Sequence, residues 1–204
     1  MYTTFLVVDD FLDNAEALRE HALKLDFPEH QEGRFPGRNS LQRIAIEGLT
    51  EAVSRILGEP LEAAPPPQSH AKARLTLASD KGRGRVHVDE SHWSGILYLS
   101  RPEDCRGGTE FFRHKSTGFD RFPFSPEELK RAGLADHADA HRAFIERDGT
   151  NDDAWDLIST VPMRFNRLLL LRPWLFHTAG PGFGDRPENA RLVYLMFFNR
   201  PLHG

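Results

Sequence analysis

The stretch Arg85-Val-His-Val-Asp-Glu-Ser-His-Trp-Ser-Gly-Ile-Leu-Tyr-Leu-Ser100 decides how this chain is read. At its centre stand His87 and Asp89, two positions apart. On a helix such residues point to nearly opposite sides, whereas on a strand they share a face. Val86 and Val88 favour the strand. The imidazole and the carboxylate then sit side by side, about 7 Å apart along the backbone, and can supply two ligands to one divalent ion. The candidate for a third is His177, in Pro173-Trp-Leu-Phe-His-Thr178. Two histidines and one carboxylate on one face of an ion leave positions open, which suits non-heme Fe(II).

Working outward, the pattern predicts a series of short strands. Ala71, Ala73, Leu75 and Leu77 alternate with Lys72, Arg74, Thr76 and Ala78, a half-buried strand. Lys81-Gly-Arg-Gly84 reads as a turn. Strands follow at about 85–89, 94–99 and 109–113, the last two separated by a loop from Arg101 to Gly108. A hairpin is expected over 161–171 with its turn near Asn166. The final strand, Arg191 to Phe198, is apolar on both faces and should be central. Between 114 and 158 the series is interrupted. There Ser125-Pro-Glu-Glu128 combines an N-cap serine, proline at the first helical position and glutamate at the third, and predicts a helix past Ala143. Asp152 or Asp153 is expected to open a short helix through Ile158.

Upstream, Phe5 to Val8 reads as a short buried strand. Asp10 or Asp13 is expected to cap a helix to about Leu25, and Ser40 a second helix to about Leu57, stopped by Gly58. Gly33 to Gly37 reads as a loop, and Pro65-Pro66-Pro67 as a stiff connector. The expectation is one domain, 1–204: a helical N-terminal section at 1–67, then a barrel at 68–204 with a helical insertion at about 114–158. Two helices followed by roughly eight short strands give a mainly β protein with flanking helices, an antiparallel barrel or jelly roll. A βαβ fold is excluded because the strands follow one another without intervening helices, and Gly82-x-Gly84 is no phosphate loop.

A chain of 204 residues can bury a sizeable core. Its net charge of −4 gives no overall pull toward nucleic acid or an anionic membrane. Cys105 is the single cysteine, which excludes an internal disulfide, a cysteine-based zinc site and an Fe–S cluster. No apolar run approaches the ~20 residues needed to span a bilayer. The start, Met1 to Asp10, lacks the basic region of a signal peptide. A cytoplasmic location is expected.

His87-x-Asp89, His177 and a later Arg191, threaded on short strands, resemble the Fe(II)/2-oxoglutarate-dependent dioxygenase superfamily. Ile96-Leu-Tyr-Leu-Ser100 and Gly107-Gly-Thr-Glu-Phe-Phe112 are similar to its prolyl-hydroxylase-like branch, with most likeness to small bacterial members. The resemblance runs from about Ala71 to Asn199. It implies a double-stranded β-helix, a jelly-roll or cupin-like barrel, with the metal inside one end. It implies Fe(II) on His87, Asp89 and His177, with 2-oxoglutarate as cosubstrate and O2 as oxidant. Arg191 would pair with the distal carboxylate of 2-oxoglutarate through its planar fork. Tyr98 would hydrogen-bond the same molecule, and Thr109 is a further candidate for that pocket. Arg191 stands 14 positions after His177, longer than the commonest interval, and Arg186 stands 9 after it as the rival. Asp89 fills the position that halogenating relatives leave to a halide, which favours hydroxylation or another oxidation, and hydroxylation of a small-molecule, amino-acid or peptidyl substrate is expected. The alternatives are a cupin-like metalloprotein that does not use 2-oxoglutarate and a non-catalytic binding protein on the same barrel.

Near the expected mouth lie His92, Trp93, Arg113, His114, Arg164, Asn166 and Trp174, of which Arg113 and Arg164 suit a carboxylate and Trp93 a ring. The insertion is where a lid is expected. His137 and His141, four apart, read as a solvated helix face, and Cys105 has no assigned role.

Overall fold

The strand Arg191–Asn199 shows how this molecule is layered, because successive side chains take opposite sides of a sheet. Leu192, Tyr194, Met196 and Phe198 enter a large apolar cluster with Leu18, Ala22, Leu49 and Val53 of two helices. Val193 and Leu195 face the other way, toward Tyr98, Ile96 and Phe183.

The computed structural model describes residues 3–29, 35–82 and 84–201. In chain order the elements are β1 (Phe5–Val8), α1 (Ala15–Leu23), β2 (Arg38–Asn39), α2 (Leu49–Leu57), β3 (Glu62–Ala63), β4 (Lys72–Thr76), β5 (Trp93–Tyr98), β6 (Gly108–His114), α3 (Pro126–Arg131), α4 (His137–His141), β7 (Trp155–Pro162), β8 (Leu168–Leu171), β9 (His177–Thr178) and β10 (Arg191–Asn199). They form two antiparallel sheets. The larger runs β1-β8-β5-β10-β4-β2, with β3 also on β10, and the smaller runs β7-β6-β9. The last strand is central as expected, between β5 and β4. Helices α1 and α2 cover the outer face of the large sheet, where each fully buried leucine or phenylalanine contributes about 1.5–3 kcal/mol. Among the described residues no helix is long and apolar enough to cross a membrane.

Several expectations are corrected. The segment 85–89 joins no ladder; it is an extended run with an isolated bridge from His87 to His177. The hairpin over 161–171 does not form. The turn at Asn166 exists, with φ at 59°, but it carries the chain from β7 in the small sheet to β8 in the large one. Ser40 caps no helix. Its hydroxyl donates to Gln42 O and accepts from Ala73 N, which ties residues 38–44 to β4, and the helix waits until Leu49. Neither Asp10 nor Asp13 caps α1, which begins after Asn14. β1 is an edge strand with Phe5 and Val7 exposed on one side. The loop expected at 33–37 and the turn at 81–84 fall partly outside the described residues, at positions 33, 34 and 83, as do Met1 and Tyr2 of the expected start.

The insertion starts as read. The Ser125 hydroxyl accepts from Glu128 N, and Glu128 reaches back to the backbone of Ser125. The helix then stops at Arg131, before Gly133 in the left-handed region at φ 72°. A second short helix continues into a π-turn over Arg142–Arg147. Only a single 3-10 turn, Asp152–Ala154, precedes β7, because residues 155–162 pair with β6. Leu129, Phe144 and Ile145 of the insertion pack on Val86, Phe112 and Phe176.

Two predictions follow from this packing. Gly108 has φ 158°, and a Cβ there would lie 1.9 Å from Val161 O, in backbone that cannot yield. Gly108→Ala should cost about 2–4 kcal/mol in urea denaturation. Arg121 and the backbone N–H of Phe124 together hold the Glu128 carboxyl at about 2 instead of 4.5. That pairing therefore stabilises the insertion fully above pH 4.5 and less and less as the pH falls toward 2. The stability difference between the native protein and Glu128→Gln should shrink over that window.

Candidate metal centre

Backbone hydrogen bonds place the candidate ligands. His87 N donates to His177 O at 2.9 Å and His177 N to His87 O at 3.1 Å. Asp89 N donates to Pro173 O, and Val86 N to Gly149 O. The period-2 reading of His87 and Asp89 therefore holds locally without a full strand: both side chains turn to one side, toward His177. The imidazole rings of His87 and His177 are 4.4 Å apart between centroids. His87 Nε2 lies 3.7 Å from Asp89 Oδ1, and His177 Nε2 lies 3.5 Å from Asp89 Oδ2. One ligand atom from each of the three lies within 4.8 Å of the others.

Each ring is oriented by its own chain. His87 Nδ1 faces Arg85 O at 2.9 Å, and His177 Nδ1 faces Leu175 O at 2.7 Å. A carbonyl only accepts, so Nδ1 carries the proton in both rings and each Nε2 can turn a lone pair inward. Ser94 Oγ donates to Asp89 Oδ2 at 2.6 Å. Burial alone would raise Asp89, but the hydrogen bond to His177, the nearby histidines and Ser94 outweigh it and hold the carboxylate well below its usual range. Burial would lower His177, and the bond to Asp89 raises it instead.

The three residues open into a cavity of about 240 Å³. Its floor is apolar, with Ile96, Leu195 and Phe197. Arg74, Asn39 and Ser69 give it a polar wall. Phe35 leans over the His87 ring at 4.2 Å. The sequence reading missed this wall. Alternation marks β4 as half-buried with Lys72, Arg74 and Thr76 on its polar row, and Arg74 of that row lines the cavity.

Arg191, Tyr98 and Thr109 come together apart from the cavity lining. Arg191 is 2% exposed, and its Nε and Nη2 find no hydrogen-bond partner among the described residues. Burial pulls its pKa down, and the Tyr98 hydroxyl is its one resolved opposing influence. Tyr98 Oη lies 2.8 Å from Thr109 Oγ1 and accepts from Thr109 N at 3.1 Å. Arg186 is exposed and sits near Asp185 and Glu188, at 3.5 and 3.9 Å.

The residues expected at the mouth line no part of this cavity. Trp93 is buried under the outer face of the sheet, with Nε1 on Glu59 and the Arg172 guanidinium 3.9 Å above its ring. His92 bonds Glu59, His114 bonds Asp148 at 3.0 Å, and Arg164 pairs with Asp9. Asn166 closes a turn onto Leu12, Arg113 is exposed, and Trp174 meets Phe124 edge to face. The insertion supplies no cavity residue either. It buttresses Val86 and Phe176, the neighbours of two candidate ligands, instead of forming a lid. His137 contacts Phe124 O, His141 contacts Glu146, and Cys105 contacts Ser100 O.

A model described as "Family of unknown function (DUF6445)" matches residues 2–198. No curated protein matches the sequence. Among solved structures, HygX from Streptomyces hygroscopicus, with nickel, 2-oxoglutarate and hygromycin B bound, is similar at 15% identity. The match covers 98% of this chain and 84% of that one, with a TM-score of 0.55. SnoK, a non-heme alpha-ketoglutarate-dependent carbocyclase from nogalamycin biosynthesis, is similar at 12% identity over 97% of this chain and 79% of its own, with a TM-score of 0.55. SnoN, an epimerase of the same dependence and pathway, reaches 16% identity, 98% and 82% coverage and a TM-score of 0.52. The fold is therefore the one shared by HygX, SnoK and SnoN.

A buried guanidinium without an anion is costly, so Arg191→Met should stabilise the ligand-free protein by about 1–4 kcal/mol in urea denaturation.

Proposed function

We propose that this chain, which belongs to the DUF6445 family of unknown function, is an Fe(II)/2-oxoglutarate-dependent oxygenase on a double-stranded β-helix. One observation carries the reading. Two inward-facing Nε2 atoms and one carboxylate converge on a cavity, and the strand that lends Leu195 and Phe197 to its lining also carries Arg191, buried with two guanidinium nitrogens lacking a hydrogen-bond partner among the described residues. His87, Asp89 and His177 are the ligands, and three protein ligands leave coordination positions for the cosubstrate and O2. Arg191 receives the distal carboxylate of 2-oxoglutarate, with the Tyr98–Thr109 pair beside it.

When bound, the metal and cosubstrate supply the oxidising power: 2-oxoglutarate and O2 give succinate and CO2, and one oxygen atom enters a substrate C–H bond. The chain's own part is to hold, orient and exclude water. The Arg85 and Leu175 carbonyls fix the two imidazoles, and Ser94 fixes Asp89. Ile96 and Leu195 keep the floor dry. Because Asp89 occupies the position that a halide would need, hydroxylation is the chemistry we assign. The substrate is a small molecule, amino acid or peptidyl group, and the protein acts in the cytoplasm.

The test is an anaerobic titration with Fe(II) and 2-oxoglutarate, following the weak visible charge-transfer band. The band should need both components. Asp89→Ala should abolish it together with succinate formation, while the near-UV circular dichroism stays native. Arg191→Ala should raise the apparent KM for 2-oxoglutarate at least about tenfold, or 1.4 kcal/mol. Normal turnover by Asp89→Ala would overturn the ligand set. Bound iron without the band would favour a cupin-like metalloprotein that does not use 2-oxoglutarate, and no iron uptake a non-catalytic binding protein.

A further inference from the structure

The polar wall is built differently from the rest of the cavity. Arg74 Nη1 donates to Asn39 Oδ1 at 2.8 Å, and Asn39 Nδ2 donates to Ser69 Oγ at 2.8 Å. Nη2 of Arg74 donates to the carbonyls of Phe35 and Pro36. Every bond in this relay runs outward from the guanidinium. Asn39 has its carbonyl and an amide N–H spoken for, which fixes its orientation. Ser69 accepts from it, so the Ser69 hydroxyl proton is left to give. Of the five N–H groups an arginine carries, these contacts use three. The wall therefore offers donors, and a ligand that meets it must accept.

Charge gives the same answer. Among the described residues Arg74 makes no ion pair. Its acceptors are neutral carbonyl oxygens, and Asp80, an acid that influences it, is paired with Arg38 at 2.9 Å. Burial, together with the neighbouring Arg191, brings the Arg74 pKa down to about 10, so the side chain remains a cation. With Fe(II) in place, Asp89 and the chelating carboxylate of 2-oxoglutarate cancel the metal's two charges, and the distal carboxylate cancels Arg191. One positive charge remains, on Arg74, facing a cavity with an apolar floor. An unbalanced charge that is largely withdrawn from water is expensive and calls for a counter-ion.

We propose that Arg74, Asn39 and Ser69 form the binding site for a carboxylate group of the primary substrate, which is thus a small monoanion with an apolar body. The inference rests on the metal and 2-oxoglutarate reading for the charge count, whereas the donor relay exists without it. The carboxylate docks on Arg74 and Ser69. The body lies over Ile96, Leu195 and Phe197, and this presents a C–H bond toward His87 and His177.

Calorimetry on the anaerobic protein saturated with Fe(II) and 2-oxoglutarate tests it, with benzoate and its neutral isostere benzamide as probes. Benzoate should bind at least about tenfold more tightly than benzamide, the factor that one charge-assisted hydrogen bond readily supplies. Arg74→Gln should erase that preference while leaving 2-oxoglutarate affinity within about twofold, and Arg74→Lys should restore part of it. Ser69→Ala, which leaves the strand and the Phe35–Pro36 contacts intact, should weaken benzoate about threefold. Equal affinity for the two probes, no benzoate binding, or a preference that survives Arg74→Gln would overturn the proposal. Loss of 2-oxoglutarate binding in Arg74→Gln but not in Arg191→Gln would make Arg74 the cosubstrate anchor and overturn it as well. If Fe(II) and 2-oxoglutarate fail to bind the native protein, the enzymatic reading falls. The probe preference, measured without them, then decides the donor wall separately.

Discussion

Two backbone hydrogen bonds between His87 and His177 are what the rest of the site depends on. They join segments far apart in sequence, one before β5 and one after β8, and make each histidine the other's partner. Because the bridge is antiparallel, the two side chains emerge on the same side. Each ring is then turned by a carbonyl two residues back in its own chain. Preorganisation of this kind lowers what a bound ion must spend on ordering its ligands.

The bridge in turn depends on what lies behind it. Val86 and Phe176, the residues immediately before the two histidines, are buried in the cluster that the insertion completes with Leu129, Phe144 and Ile145. An insertion between β6 and β7 thus serves as a buttress, and its own start is secured by a capping box and the Arg121–Glu128 pair. Gly108 has a parallel role on the other side. Its close approach to Val161 lets Thr109 reach Tyr98.

The large sheet divides its two faces by chemistry. The outer face is closed by α1 and α2 and is almost wholly apolar, which is where stability comes from. The inner face carries Arg74, half-buried, and Arg191, buried, two cations whose pKa values are lowered chiefly by loss of water. Such a cost is the usual mark of a functional surface. It also explains why β10 sits in the middle of the sheet: a central strand is rigid, and it holds Arg191 where solvent cannot reach it.

Much was legible in the residues themselves. The spacing of His87 and Asp89, the apolar run ending in His177, the two-sided burial of 191–198 and the Ser125 capping box are local patterns, and local patterns survive folding. What failed was long-range. Residues 155–162 and 168–171 look like a hairpin because alternation says nothing about which sheet a strand joins, and the turn at Asn166 takes them to different ones. Trp93 and His114 look like site residues until their partners Glu59 and Asp148 are known. Arg74 falls on the polar row of β4, and a period of 2 separates two faces without saying what covers the polar one. The sequence by itself determined residue types and the side each takes on its own strand. Only the tertiary structure decided which sides meet, because that depends on sheet order and on contacts between segments that no local spacing encodes.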